Sequence, residues 1–187
     1  EPLVGFLPMI TARAPALDAL RRAVAEGYQV SFDYLKPGVS QPTTRTVSPL
    51  SIVLHENRWH LISLEEPDAT ERTFLLRRIV SPIKTVDAPV RGPAPGQIDS
   101  LTAELDELFW SQTARVQVTP GSVAALELAH RPGSAVEGDT VVVHFTDAVA
   151  LGVELAGYGP DIRSIEPDAV RVAHRDALNT VVVEHGQ

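Results

Sequence analysis

The chain has 187 residues, of which 44% are apolar and 21% charged, so it is long and apolar enough for one folded domain or two small ones. It contains no cysteine, which excludes disulfides, thiolate nucleophiles and zinc ribbons. No apolar run could cross a bilayer and no N-terminal segment resembles a signal peptide, so we expect a cytoplasmic protein. The first residue is Glu1 rather than Met, which indicates a fragment.

The net charge of −8 at pH 7 is unevenly distributed along the chain. Residues 28–86 contain seven basic and six acidic side chains, whereas residues 87–187 contain six and fifteen. The negative total argues against a protein whose whole surface binds nucleic acid. The asymmetry predicts two modules with different partners.

The first predicted element is a short amphipathic helix between Pro15 and Gly27, two residues that suit a helix start and the position after a helix end. Four runs rich in β-branched and aromatic residues follow, at residues 29–35, 43–55, 58–66 and 72–86. Their short connections favour a small antiparallel β-barrel over βαβ units. Pro49 and Pro82 cannot donate to a central ladder, so each predicts a bend or a strand end.

Residues 87–97 contain three prolines and two glycines and predict an inter-domain linker. A helix follows, for which Asp99 or Ser100 can serve as the N-cap. The remaining pattern is βαββαβ, which is typical of a ferredoxin-like domain, with a last helix from Asp168 to Leu178. The predicted domains are a helical connector (1–27), the barrel (28–86), a linker with its helix (87–112) and the ferredoxin-like domain (113–187).

Enzymatic signatures are missing from the sequence. There is no nucleophile elbow, no Gly-rich phosphate loop and no H-E-x-x-H, and none of the six histidines has another three or four residues away. Scattered carboxylates in the second half are typical of a solvated acidic surface. We therefore predict a protein that is not an enzyme and holds no metal or cofactor.

The candidate site consists of polar residues on the predicted barrel strands: Tyr34, Arg45, His60, Arg77 and Arg78. Guanidinium groups are rarely buried unless paired, and these arginines have few acidic neighbours of matching strand parity. Converging with a histidine and a tyrosine, they would form a polyanion site that holds phosphates and stacks a base.

Each of these residues also has an ordinary structural interpretation. Each arginine alone suits a solvated surface, and Tyr34 suits a core position with its hydroxyl at the rim. Strand alternation turns His60 away from Trp59 and Leu61 but leaves it on the side of Ile62 and Leu64, so the pattern does not decide its role. On a continuous strand, Arg77 and Arg78 would face opposite ways.

Residues 30–79 resemble the WYL domain, a compact Sm-like (SH3-type) β-barrel of bacterial transcription regulators. The matching elements are Phe32-Asp33-Tyr34, Arg45 to Pro49, Trp59-His60-Leu61 and Phe74 to Ile79. Residues 115–178, which include "GYGPDIRSIEP", resemble the C-terminal extension of WYL regulators of the PafB/PafC type. The sequence departs from the family pattern at His60, where a tyrosine is usual, and at Arg77, where an acidic or small polar residue is usual.

The resemblance implies an α+β protein that is the effector-sensing part of a transcription activator of DNA-damage response genes. It implies that the barrel binds a nucleic-acid signal, foremost single-stranded DNA, through Arg45, His60 and Arg78, with support from Tyr34 and Arg77. It also implies a preceding helix-turn-helix domain that contacts promoter DNA, a homo- or heterodimer with a related WYL protein, and RNA polymerase as a candidate partner. Two alternatives stay open: a barrel that senses a small nucleotide, and an interaction scaffold without a ligand.

Overall fold

The computed structural model describes residues 14–36 and 39–185. It divides the chain into two compact units, residues 1–103 and residues 104–187. The elements of the first unit are α1 (Ala14–Glu26), β1 (Gln29–Tyr34), β2 (Thr43–His55), β3 (Arg58–Glu65), β4 (Thr70–Leu75), a 3₁₀ turn (Leu76–Arg78), β5 (Lys84–Val86) and the start of α2 (Gln97–Ser111).

The boundary between the units falls inside α2, after the segment 87–97 that we predicted as a linker. That segment is hydrogen-bonded to the first sheet: the Gln29 side chain donates to the Pro89 carbonyl (2.7 Å), and the Arg91 backbone N–H donates to Ser48 (3.0 Å). How the units correspond to functional domains stays a prediction. Residues 37–38, in the short connection between the first two predicted strands, and the first half of the predicted connector lie outside the described residues.

Helix α1 follows the predicted pattern. It ends one residue before Gly27, which has a φ of +72° and whose N–H donates to the Ala23 carbonyl at 3.0 Å. A positive φ strains a residue with a Cβ, so glycine suits this position. Leu20 and Ala23 are fully buried against the sheet.

The described strands of the first unit form one antiparallel sheet in the order β4-β3-β2-β1-β5. Among these residues no ladder joins the edge strands β4 and β5, so the antiparallel sheet that we predicted as a small barrel is present but is not closed by strand pairing. The cause lies in the predicted strand 72–86, which is interrupted by the 3₁₀ turn. After that turn the chain returns to the end of β1, where Ile79 forms a bridge with Tyr34 and the Leu35 N–H donates to the Arg78 carbonyl at 2.9 Å. The sheet approaches closure at this corner.

Both faces of the first sheet bury apolar side chains. One face packs with α1 into a cluster that we call the first core: Leu20, Ala23, Val30, Phe32, Tyr34, Val47, Leu61, Phe74, Leu76 and Ile79. On the other face, Leu50, Ile62 and Leu64 pack with Leu101, at the start of α2. Strand β3 is therefore buried on both sides, and its near-continuous apolar run reflects this.

A register shift in β2 lies between Pro49 and Ser51, where we predicted a bend. Before the shift, Val47 lies opposite Glu65 and belongs to the first core. After it, Ile52 lies opposite Leu61 and packs against the same core. The extra residue changes the parity of the core-facing positions from odd to even, as a β-bulge does.

The second unit begins within α2 and contains the predicted βαββαβ order. Its elements are β6 (Thr113–Val118), α3 (Val123–Ala129), β7 (Ala135–Glu137), β8 (Thr140–His144), α4 (Ala148–Ala156), a 3₁₀ turn (Gly159–Asp161), β9 (Ile162–Glu166) and α5 (Asp168–His185). The strands pair antiparallel in the order β7-β8-β6-β9. This confirms the ferredoxin-like pattern.

Local signals in this unit are largely confirmed. Asp147 caps α4 by accepting from the Ala150 N–H at 2.8 Å, and aspartate is among the residues that sequence patterns favour at the position before a helix. Two helix ends differ from the prediction. Helix α5 continues past Leu178 to His185, and α2 begins at Gln97, so that Asp99 lies in the first turn and does not cap the helix.

Helices α4 and α5 pack closely against each other at Gly152. A Cβ built on this residue would lie 2.6 Å from both the Ala173 Cβ and the His174 backbone nitrogen. Both contacts are too short for real atoms, and backbone cannot move aside as the end of a flexible side chain can. The packing of the two helices therefore requires glycine at this position.

We expect Gly152→Ala to lower the free energy of unfolding of the full chain by about 1–2 kcal/mol, because overpacking costs more than the gain in helix propensity. Urea denaturation followed by circular dichroism measures this loss. The control is Gly92→Ala, since no atom lies within 4 Å of that Cβ. Equal unfolding midpoints for wild type and Gly152→Ala would contradict the prediction.

Candidate functional site

A cavity of about 300 Å³ in the first unit is lined by Tyr34, Lys36, Arg45, Arg72, Thr73 and Phe74. Strands β1 and β4 are not neighbours in the sheet, yet the rings of Tyr34 and Phe74 lie 4.9 Å apart. The Leu75 N–H also donates to the Tyr34 hydroxyl at 3.2 Å. These contacts bring the two strands together around the cavity.

Strand register places Arg45 beside this cavity. Arg45 lies opposite Phe32, which belongs to the first core, so both side chains project from the core face of the sheet. Only 17% of the Arg45 side chain is exposed. A guanidinium buried to this extent needs an anionic partner.

Glu65 supplies that partner and binds a second arginine as well. One of its carboxylate oxygens lies 2.5 Å from an Arg45 terminal nitrogen, and the other lies 3.1 Å from the Arg72 Nε. Burial alone would raise the pKa of Glu65, but the hydrogen bonds from Arg45 and Arg72 and the attraction of their positive charges together outweigh it, and the pKa is lowered. The carboxyl group is therefore ionised at neutral pH.

The groups at the cavity leave an excess of positive charge. Lys36, Arg45 and Arg72 are three cations, and Glu65 is the carboxylate that pairs with two of them. In addition, the Arg45 Nε is buried and has no hydrogen-bond acceptor in the described part of the chain. The cavity therefore has the charge and the donors to hold an anion.

The two aromatic rings of the cavity form its wall. Tyr34 is 9% exposed and Phe74 4%, and each meets its neighbours edge to face. Rings buried to this extent expose too little of either face for a base to stack on them. The arrangement therefore suits a phosphate better than a base, which differs from the stacking role that we predicted for the ring of Tyr34.

His60 lies on the other face of the sheet from this cavity. It precedes Leu61, a first-core residue, and shares the side of Ile62 and Leu64, which pack against α2. The ring is 5% exposed, with Nδ1 3.0 Å from the Arg58 carbonyl oxygen and the ring centroid 6.0 Å from that of His55. The structure does not bring His60 together with Arg45.

Arg77 and Arg78 lie in the 3₁₀ turn and not on a strand, so our prediction that they face opposite sides of a sheet was wrong. One terminal nitrogen of Arg78 donates to the Leu35 carbonyl at 3.3 Å. Leu35 immediately precedes Lys36, so Arg78 holds the end of β1 from which Lys36 reaches the cavity.

Sequence reasoning missed the role of Glu65, because it expected few acidic partners for the strand arginines. Two register relations place the carboxylate between its partners. Glu65 lies opposite Val47, two residues from Arg45, and opposite Thr70, two residues from Arg72. Diagonal pairs of this kind are within reach of long side chains. The short β3–β4 connection could have indicated the second relation.

In the described part of the chain, no group of three or more His, Cys, Asp or Glu residues is placed to hold a metal ion. None of the helices that the structure describes is both long and apolar enough to span a membrane.

The formal charges differ between the units. Residues 1–103 contain eleven basic and eleven acidic side chains, and residues 104–187 contain five and thirteen.

Comparison with known proteins identifies relatives of both units. The model of the WYL domain family matches residues 15–83. Protein PafB of Mycobacterium tuberculosis is 25% identical over 189 residues, covering 91% of this chain and 57% of PafB. PafB of Mycobacterium leprae is 29% identical over 164 residues (83% and 49%), and PafC of Mycobacterium tuberculosis is 24% identical over 175 residues (90% and 54%).

The structure of proteasome accessory factor B/C (PafBC) of Arthrobacter aurescens resembles this fold, with a TM-score of 0.59 at 22% identity. The match covers 94% of this chain and 28% of that one. The chain spans about half the length of the PafB and PafC relatives that it matches.

We expect Glu65→Gln to lower the free energy of unfolding at neutral pH by about 1 kcal/mol, because the ionic hydrogen bonds to Arg45 and Arg72 are lost. A carboxylate with a lowered pKa stabilises the fold above its usual pKa of 4.5, and this contribution disappears as the pH falls through the lowered value. The difference in the free energy of unfolding between wild type and variant should therefore become smaller at acidic pH. Urea unfolding at several pH values measures this difference.

Glu71→Gln is the matched control, since it removes an exposed carboxylate from the neighbouring strand. We expect no comparable pH-dependent difference for this variant. A Glu65→Gln difference that persists unchanged at acidic pH would show that the ion pairs do not cause it.

Proposed function

We propose, because this chain is a WYL-domain protein homologous to PafB and PafC, that its first unit is the effector-binding part of a transcription regulator. The effector is a single-stranded nucleic acid, foremost DNA, which binds through its phosphates. One observation supports this most directly: three cations and the unsatisfied Arg45 Nε converge on one cavity.

The geometry favours recognition of the backbone over recognition of bases. Forked guanidinium groups suit phosphate oxygens, and the cavity walls expose no aromatic face to a base. A flexible single strand can lead one phosphate into a recess of about 300 Å³. Such a site responds to the presence of single strands and not to their sequence.

The second unit has a different role in this proposal. An excess of eight acidic side chains over basic ones repels a polyanion, so this unit suits a protein partner. We propose that it communicates the effector state to a related WYL subunit, to RNA polymerase or to a DNA-binding domain outside this chain. The likeness to PafB and PafC extends the proposal to activation of DNA-damage response genes.

A small nucleotide is the second candidate effector. The cavity volume of about 300 Å³ lies at the lower end of the range for small-molecule sites. A mononucleotide would use the same cations but neutralise fewer charges. Its binding would therefore depend on salt more weakly than the binding of a strand.

We expect Arg45→Ala to weaken binding of a fluorescein-labelled oligothymidylate roughly tenfold or more, because a charge-assisted phosphate contact is lost. The dependence of log K on log salt should become shallower by about 0.7, the value for one phosphate of a single strand. Fluorescence anisotropy at several salt concentrations measures both quantities.

Arg72→Ala is a second test of the same site, since the Arg72 side chain is 54% exposed and its removal disturbs the fold less. Arg163→Ala, an exposed residue of the second unit, is the control and should leave binding unchanged. Equal affinity of wild type, Arg45→Ala and Arg72→Ala would overturn the proposed site. Equal salt dependence for the oligonucleotide and thymidine monophosphate would favour the second candidate.

Arg78→Ala should both weaken oligonucleotide binding and lower the free energy of unfolding by about 1 kcal/mol, because the bond to the Leu35 carbonyl is lost. Affinity per folded molecule and urea unfolding measure the two effects separately. If only the stability falls, Arg78 is a structural residue and is not one of the residues that contact the oligonucleotide.

A further inference from the structure

The anion that holds Arg45 and Arg72 in this structure is a side chain of the protein itself. Glu65 contacts Arg45 at 2.5 Å and Arg72 at 3.1 Å, and both arginines line the cavity. One carboxylate therefore occupies donors of two cations that a phosphate would also use. This is the arrangement expected of a resident ligand mimic.

We infer that Glu65 is a competing internal anion that lowers the affinity of the cavity for phosphate and sets a threshold for effector binding. This inference rests on the proposed function and adds its regulation. An incoming phosphate takes over the Arg45 and Arg72 donors, and the Glu65 carboxylate turns toward solvent.

Two features of the structure favour such an exchange: the exposure of the Glu65–Arg72 contact and the unsatisfied Nε of Arg45. The Glu65 side chain is 16% exposed, and the Arg72 side chain is 54% exposed, so the Glu65–Arg72 contact borders solvent and is weak compared with a buried pair. The Arg45 Nε is a buried donor without an acceptor among the described residues, and Glu65 leaves it unsatisfied. A phosphate with several oxygens can satisfy this donor as well as those that Glu65 now uses.

The exchange also selects among anions. A monovalent anion offers no advantage over a carboxylate that is already in place. A chain of linked phosphates offers several charges, and further contacts such as Lys36 add to the one at Arg45. Glu65 thereby favours a polyanionic strand over small anions of similar local chemistry.

The test compares the wild-type chain with Glu65→Gln, Glu65→Asp and Glu71→Gln, using the labelled oligothymidylate. Glu65→Gln should bind about fivefold tighter than wild type, because no ion pair has to be broken. The slope of log K against log salt should become steeper by about 0.7 for this variant, since one more protein cation is available to a phosphate. Glu65→Asp keeps the charge but is too short to span both arginines, and its affinity should lie between the two.

Glu71→Gln controls for net charge, since it removes the same charge from the other face of β4. If Glu65→Gln and Glu65→Asp bind no tighter than Glu71→Gln, Glu65 is a positioning or structural residue and the inference is overturned. If Arg45→Ala still weakens binding in that case, the proposed function stands. If neither wild type nor any Glu65 variant binds the oligonucleotide, the proposed function fails and the inference fails with it.

Discussion

The one-residue register shift between Pro49 and Ser51 determines which side chains of β2 meet the first core. Without it, the strand would present a single parity along its whole length, and either Val47 or Ile52 would leave the core. With it, the N-terminal half of β2 turns Arg45 toward the core face, while Leu50 packs against the start of α2. The candidate site and the second buried face of the sheet both depend on this bulge.

An arginine beside an apolar core needs a compensating negative charge, and the structure provides it only in part. Glu65 compensates Arg45 and Arg72 together, but one carboxylate cannot neutralise two guanidinium groups, and Lys36 adds a further positive charge. The remaining charge is the property that a phosphate-binding site needs, so under the proposed function the residues that stabilise this corner of the fold are also those that bind the effector.

The separation of charge between the units supports a division of tasks. The first unit has equal numbers of acidic and basic side chains, so its cation cluster is a local feature that a background of negative charge does not cancel. The second unit is strongly acidic, and its Arg115–Glu137 ion pair, at 2.8 Å, joins two half-exposed side chains of the sheet. Under the proposed function, a polyanion is therefore attracted by the local cation cluster of the first unit, within the screening length of the solution.

Local patterns in the sequence predicted the helices, the order of the two modules and the resemblance to the WYL family. Helix caps, turn glycines and short motifs act over a few residues, so the end of α1 at Gly27 and the cap of α4 at Asp147 follow from their immediate neighbours. Only the tertiary structure decided the composition of the site. Alternation reports burial only when one face of a strand is exposed, and β3 is buried on both, so the side to which His60 turns could not be read from its neighbours. The pairing of Glu65 with Arg45 depends on strand register across 20 residues, and the turn that takes Arg78 off the strand depends on contacts with the end of β1. These are non-local relations, and no pattern within a single segment contains them.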